Sequence, residues 1–153
     1  MKRAIAIAIA LALVMLAGIG CGGSTERAEP QQADADTAAA ERAAVAAAEE
    51  WLGLVDQGQY AASWDEAAAL FRQAVPRARW ETTVESVRAP LGKLLSRQLR
   101  DATFRTSLPG APAGQYVVIR FAADFDGGKS AIETITPRLE DDGTWRVSGY
   151  FIK

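Results

Sequence analysis

The sequence contains no histidine and a single cysteine. Without histidine it lacks the side chain best matched to acid–base work near neutral pH, and the commonest metal ligand. Ser–His–Asp and Cys–His mechanisms are therefore excluded. With Cys21 alone, no intramolecular disulfide and no paired-cysteine zinc or redox motif can form. An excess of basic charge is also missing. Removing Lys2 and Arg3 takes the 17 basic residues to 15, against 19 acidic ones. The basic residues are scattered among acids, whereas tracking a phosphate backbone needs them clustered on one face, so no nucleic-acid partner is expected. Glu140-Asp141-Asp142 lacks the alternating oxygen ligands of a calcium loop and reads as an acidic hairpin turn. The sequence between Ser107 and Pro112 has no phosphate-cradle pattern and reads as a stiff crossing between strands. No metal and no cofactor are expected.

What is present begins with an address. Lys2 and Arg3 precede an uncharged apolar run over residues 4–20, followed by Cys21 and the small polar residues Gly22 to Thr25. This is the order of a secretory signal: positive charge, apolar segment, small residues, cleavage. Cys21 with Gly20 before it resembles the acylated cysteine of a bacterial lipobox, although Gly18 stands where that pattern usually has Leu. The resemblance implies a lipid anchor on Cys21 facing the periplasm, with the outer membrane favoured because Gly22 is not the Asp of inner-membrane retention. Gly18-Ile19-Gly20 also fits the ordinary signal peptidase, which would leave a soluble periplasmic chain. A third alternative is an uncleaved anchor, since the run is at the lower limit for a spanning helix. The expected organisation is a signal peptide over 1–20, a lipidated Cys21 with a disordered tether over 21–36, and one domain over 37–153. Residues 22–36 hold no large apolar side chain. As a flexible coil they would reach about 20–25 Å.

Within the domain, helices come first and strands afterwards. Val45, Ala48, Leu52 and Val55 recur at helical spacing with Trp51 beside them, predicting a helix from Thr37 to Gln57 closed by Gly58. Ser63 to Glu66 has the spacing of a capping box, opening a second helix that ends near Gln73. Pro76 suits the first turn of a third, whose apolar face is Trp80, Val84 and Val87. The period then changes to two. Strands are expected over 96–106, 115–125, 131–139 and 145–152, with hairpin turns at Asp126-Gly127-Gly128-Lys129 and Asp141-Asp142-Gly143. In the second, Val117, Ile119, Phe121 and Phe125 share one face, and Tyr116, Val118, Arg120 and Asp124 the other. The expected class is α+β: three N-terminal helices packed on a curved four-stranded antiparallel sheet.

This order resembles the cone-shaped fold of the nuclear transport factor 2-like superfamily over residues 38–153. More narrowly, Trp51-Leu52, Gly58-x-Tyr60-x-x-Ser63-Trp64, Ala89-Pro90-Leu91-Gly92 and the stretch Trp145 to Phe151 are similar to an exported bacterial family known as domain of unknown function 4019. The resemblance implies a fold, a pocket within the cone and an envelope location. It implies no activity and no catalytic residues.

A pocket in such a fold would be lined by Trp51, Tyr60, Trp64, Phe71, Trp80, Phe121 and Trp145, residues that equally suit a filled core. Its polar groups would come from Arg120, Asp124, Glu133 and Tyr150. Two functions follow from different classes. One is a non-catalytic envelope module that binds a small apolar ligand or a protein and forms a homodimer through its sheet. The other is a His-free isomerase- or dehydratase-like enzyme, with Asp124 or Glu133 as base in apolar surroundings. Burial of these carboxylates separates the two.

Overall fold

The computed structural model describes residues 30–153. The signal segment, Cys21 and the tether up to residue 29 lie outside the described residues. Four helices come first: α1 (Pro30–Asp56), α2 (Tyr60–Asp65), α3 (Ala69–Ala74) and α4 (Arg77–Arg88). A single 3-10 turn, Ala89–Leu91, leads into β1 (Leu94–Arg105), β2 (Tyr116–Phe125), β3 (Lys129–Leu139) and β4 (Trp145–Ile152). The strands form one antiparallel meander in the order β1-β2-β3-β4. The class is α+β, with four helices rather than three. Among the described residues no helix is long and apolar enough to cross a membrane.

Helix α1 begins at Pro30, so residues 30–36, expected in the tether, are helical. Its apolar stripe Ala44, Ala48, Leu52 and Val55 is fully buried. The stripe lies against Val117, Ile119 and Phe121 of β2, Ile135 of β3 and Val147 of β4 in one core cluster. Gly58 closes the helix at φ +70°, a conformation glycine adopts without steric cost.

The capping box does not form. Ser63 sits inside α2, fully buried, and Glu66 follows the helix end. The chain restarts its helix at Tyr60, directly after the Gly58 turn, so Ser63 arrives too late to cap it. Its hydroxyl is taken by other groups: Oγ donates to the Tyr60 carbonyl (2.8 Å) and accepts from Trp80 Nε1 (3.0 Å). The segment then breaks into two short helices because the Ala68 amide leaves it for the Val147 carbonyl on β4, 2.8 Å away. Helix α4 also turns differently from expectation. Trp80, Val84 and Arg88, one turn apart, form its buried face, and Val87 is 41% exposed.

In the sheet, Val117, Ile119, Phe121, Ala123 and Phe125 point to the helices, as the period of two requires. Tyr116, assigned by alternation to the other face, is buried as well. The β2–β3 loop is Asp126–Gly128 with both glycines at positive φ, and the β3–β4 loop carries Gly143 at φ +79°. Pro137 interrupts a central strand, where a missing amide is ordinarily costly. A register shift between Thr136 and Pro137 on the β4 side accommodates it.

Candidate functional site

Four charged side chains meet under the C-terminal ends of α1 and α4. Asp56 is the last residue of α1 and Arg88 the last of α4; Arg97 stands on β1 and Glu133 on β3. They form a closed cycle in which each charge touches two of opposite sign. Arg97 Nη1 and Nη2 grip the Asp56 carboxylate at 2.7 and 2.9 Å, and its Nε donates to Glu133 Oε2 at 2.7 Å. Arg88 Nη1 donates to Glu133 Oε1 at 2.7 Å, and Nη2 closes the cycle on Asp56 Oδ1. Glu133 is fully buried and the Arg88 side chain 5% exposed. Tyr150 on β4 donates its hydroxyl to Glu133 Oε1 at 2.8 Å. Arg88 also lies over the Phe125 ring, 5.0 Å from its centre.

Two positive and two negative charges leave the cycle neutral. That is the condition under which ions survive in a poorly solvated place, because each desolvation cost is offset by two short charge-assisted hydrogen bonds. Burial pulls the Arg97 guanidinium down in pKa, and its bonds to Asp56 and Glu133 more than reverse this, leaving it above its ordinary value. The same balance holds for Arg88, where contact with Tyr150, Glu133 and Asp56 outweighs burial. Burial, reinforced by the Glu133 charge, pushes the Tyr150 phenol well above the usual tyrosine value. Both oxygens of Glu133 are engaged by donors. This is a setting for a structural anion rather than for a base awaiting a substrate proton.

Tyr150 joins this cycle to an aromatic cluster. Its ring lies 5.6 Å from Trp51 and 6.1 Å from Trp80, and Phe71 stands edge-on to Trp80 at 5.1 Å. Tyr150 also lines a groove. One part, about 520 Å³, runs between α3 and the loop 108–112, with Phe71, Val75, Pro112 and Tyr116 among its walls. A second part, about 380 Å³, shares Phe71, Ala74, Val75 and Tyr150 and extends along α4 past Arg79. A separate cleft of about 450 Å³ opens between α1 and the start of β4, beside Trp51, Trp145, Glu50 and Arg146.

The residues expected to line a pocket are thus divided. Phe71 and Trp80 border the groove, and Trp51 and Trp145 the separate cleft. Phe121 is core, while Tyr60 and Trp64 pack partly buried against that core. Of the polar residues, Glu133 and Tyr150 face inwards and meet. Arg120 and Asp124 do not join them. Alternation along β2 places both on the outer face, because Ile119, Phe121 and Ala123 take the inner one. Arg120 pairs there with Asp101, and Asp124 accepts from Ser130 (2.8 Å) and Ser96 (3.0 Å). Those hydrogen bonds hold the Asp124 carboxyl below its ordinary value, the reverse of what a base near neutrality needs.

The family described as Protein of unknown function (DUF4019) matches residues 47–150. The chain belongs to this family. Comparison with the curated proteins and with the solved structures gives no significant match. The DUF4019 match spans all five members of the charged cycle with Tyr150, and every residue named above as a wall of the groove. It leaves out Cys21 and the first turns of α1. Sequence reading passed over Asp56 and Arg88. Only Arg88 carried a usable signal, a charge placed one and two turns from Val84 and Trp80 on the helix's apolar side.

Proposed function

We propose that this DUF4019 member is an exported envelope protein, tethered by a lipid on Cys21, whose domain is a non-catalytic binding module with a cone-like fold. The observation that carries the binding reading is the groove beside Tyr150. Its volume lies in the range of small-molecule sites, and aromatic and aliphatic side chains dominate its walls. Glu133 and Tyr150 are committed to the neutral cycle and the Tyr116 hydroxyl to the Pro112 carbonyl, so the groove has recognition surface without a free carboxylate or phenol. A neutral solvatochromic dye such as Nile red tests this. Its emission should shift blue on the wild-type protein and not on Ala74→Trp, which places a large ring in the groove from an exposed position; no shift on the wild type would sink the reading.

The tether rests on the order Lys2-Arg3, apolar run, Gly20-Cys21. Intact mass of the protein from native membranes should show a diacylglyceryl group on an N-terminal Cys21, absent in Cys21→Ser. An unmodified chain in the soluble fraction would remove the anchor. A homodimer through the sheet is part of the same proposal. The outer face carries Phe151, 59% exposed, and no helix packs on it among the described residues. A monomer by light scattering at high concentration would exclude it.

A further inference from the structure

Most of the groove's polar side chains are engaged within the protein; among the described residues the hydroxyls of Thr83 and Thr136 and the Arg79 guanidinium are not, and the one charge among these points to a ligand class. Tyr150 gives its hydroxyl to Glu133, Tyr116 to the Pro112 carbonyl (2.8 Å), Ser148 to the Thr136 carbonyl (2.7 Å) and Trp80 its Nε1 to Ser63. Trp64 Nε1 holds the Val75 carbonyl at 2.8 Å. Both long walls are therefore tied in place before any ligand arrives, one through Val75 and the other through Pro112. Arg79 is different. It is the one charged residue bordering either part of the groove, and among the described residues it makes no ion pair and no hydrogen bond. Its neighbours in the chain are occupied: Arg77 pairs with Asp65 and Glu81, and Arg72 donates to the carbonyls of Asp65 and Ala67. No carboxylate borders the groove to compete for it.

From this we infer that the groove takes a single-chain amphiphile with a carboxylate head, such as a free fatty acid. The chain lies over Tyr150 between α3 and the loop 108–112, and the head meets Arg79. A planar guanidinium matches a carboxylate in geometry. One cation also matches one negative charge, whereas a phosphate monoester carries nearly two and calls for a second cation. The inference rests on the proposed binding function and adds the ligand's class to it.

Cis-parinaric acid and its methyl ester, followed by energy transfer from tryptophan on the full mature chain, test both levels. The acid should bind about fivefold more tightly than the ester, the worth of one partly exposed charged contact. Arg79→Gln should bring the acid down to the ester's affinity and leave the ester unchanged, and Arg79→Glu should make the ester the better ligand. Arg79 is exposed, so both variants are expected to fold, which circular dichroism checks. Equal binding of acid and ester, or an acid preference that survives Arg79→Gln, would overturn the carboxylate inference while leaving an apolar site. Binding of neither probe, or binding of both that Ala74→Trp does not weaken, would overturn the groove itself.

Discussion

Glu133 shows how far one residue's meaning depends on its neighbours. In the sequence it is one acid in an alternating strand. In the fold it is fully buried between two guanidiniums and a phenol. Replacing it with Gln leaves the cycle one positive charge in excess, and breaking a buried pair from one side costs about 3–5 kcal/mol. The urea midpoint of Glu133→Gln should fall accordingly. The double variant Arg88→Met, Glu133→Leu should cost clearly less than the sum of its single changes, since Asp56 and Arg97 remain a neutral pair. Tyr150 adds a pH dependence of known sign. Its folded pKa is raised, so the stability it contributes is complete below the unfolded value of about 10 and is lost as the pH rises beyond it. Tyr150→Phe should be less stable than the wild type at pH 8 by about 1 kcal/mol, the net worth of its hydrogen bond. It should also lack this part of the wild type's decline between pH 9 and 11. The cycle was illegible in the sequence because its members come from four elements, and Asp56 and Arg97 each look like an ordinary solvated charge. The aromatics were legible as apolar, but which ones line space and which fill it depends on packing that no spacing records.

At the scale of elements, the strands were readable and the small helices were not. A period of two survives in β2 and β3 because each has one face on the helices, whereas in β4 the bulge opposite Pro137 breaks it. The two-turn region after Gly58 has no such regularity, and its apparent cap, Ser63, is claimed by Trp80 from another helix. The joint between α4 and β1 shows where backbone conformation decides. Gly92 holds φ +84°, and a Cβ there would meet the Asp126 Cβ at 3.2 Å. Gly92→Ala should therefore destabilise by about 1–3 kcal/mol through its backbone conformation alone, since φ +84° with ψ −157° is open essentially to glycine only. Gly53 is the opposite case, a helical glycine in α1 with nothing within 4 Å of the added carbon. Gly53→Ala should stabilise by about 0.5–1 kcal/mol. Thermal unfolding of the two variants side by side checks both signs, and a loss at Gly53 would mean that α1 is not the continuous helix described.

For the whole molecule, the question is where the folded unit starts. The sequence set the boundary at Thr37, and α1 continues back to Pro30. Residues 32–36 are exposed, and the one side-chain hydrogen bond among them is Gln32 to Asp36. The tertiary anchorage of α1 begins further on, where Glu41 accepts from the Phe104 amide of β1 at 2.9 Å and Ala44 enters the core. Helix turns without such packing contribute little, since an isolated short helix is marginal in water. A chain lacking residues 1–36 should thus unfold in one transition with a midpoint within about 0.5 kcal/mol of the longer form, the effect of a change away from any buried feature. Glu41→Ala in the same short chain should cost about 1–2 kcal/mol, because it leaves the Phe104 amide without its acceptor. A marked loss from the truncation alone would show that the first turns of α1 are held by more than their own backbone, and would move the boundary between tether and domain towards the N-terminus.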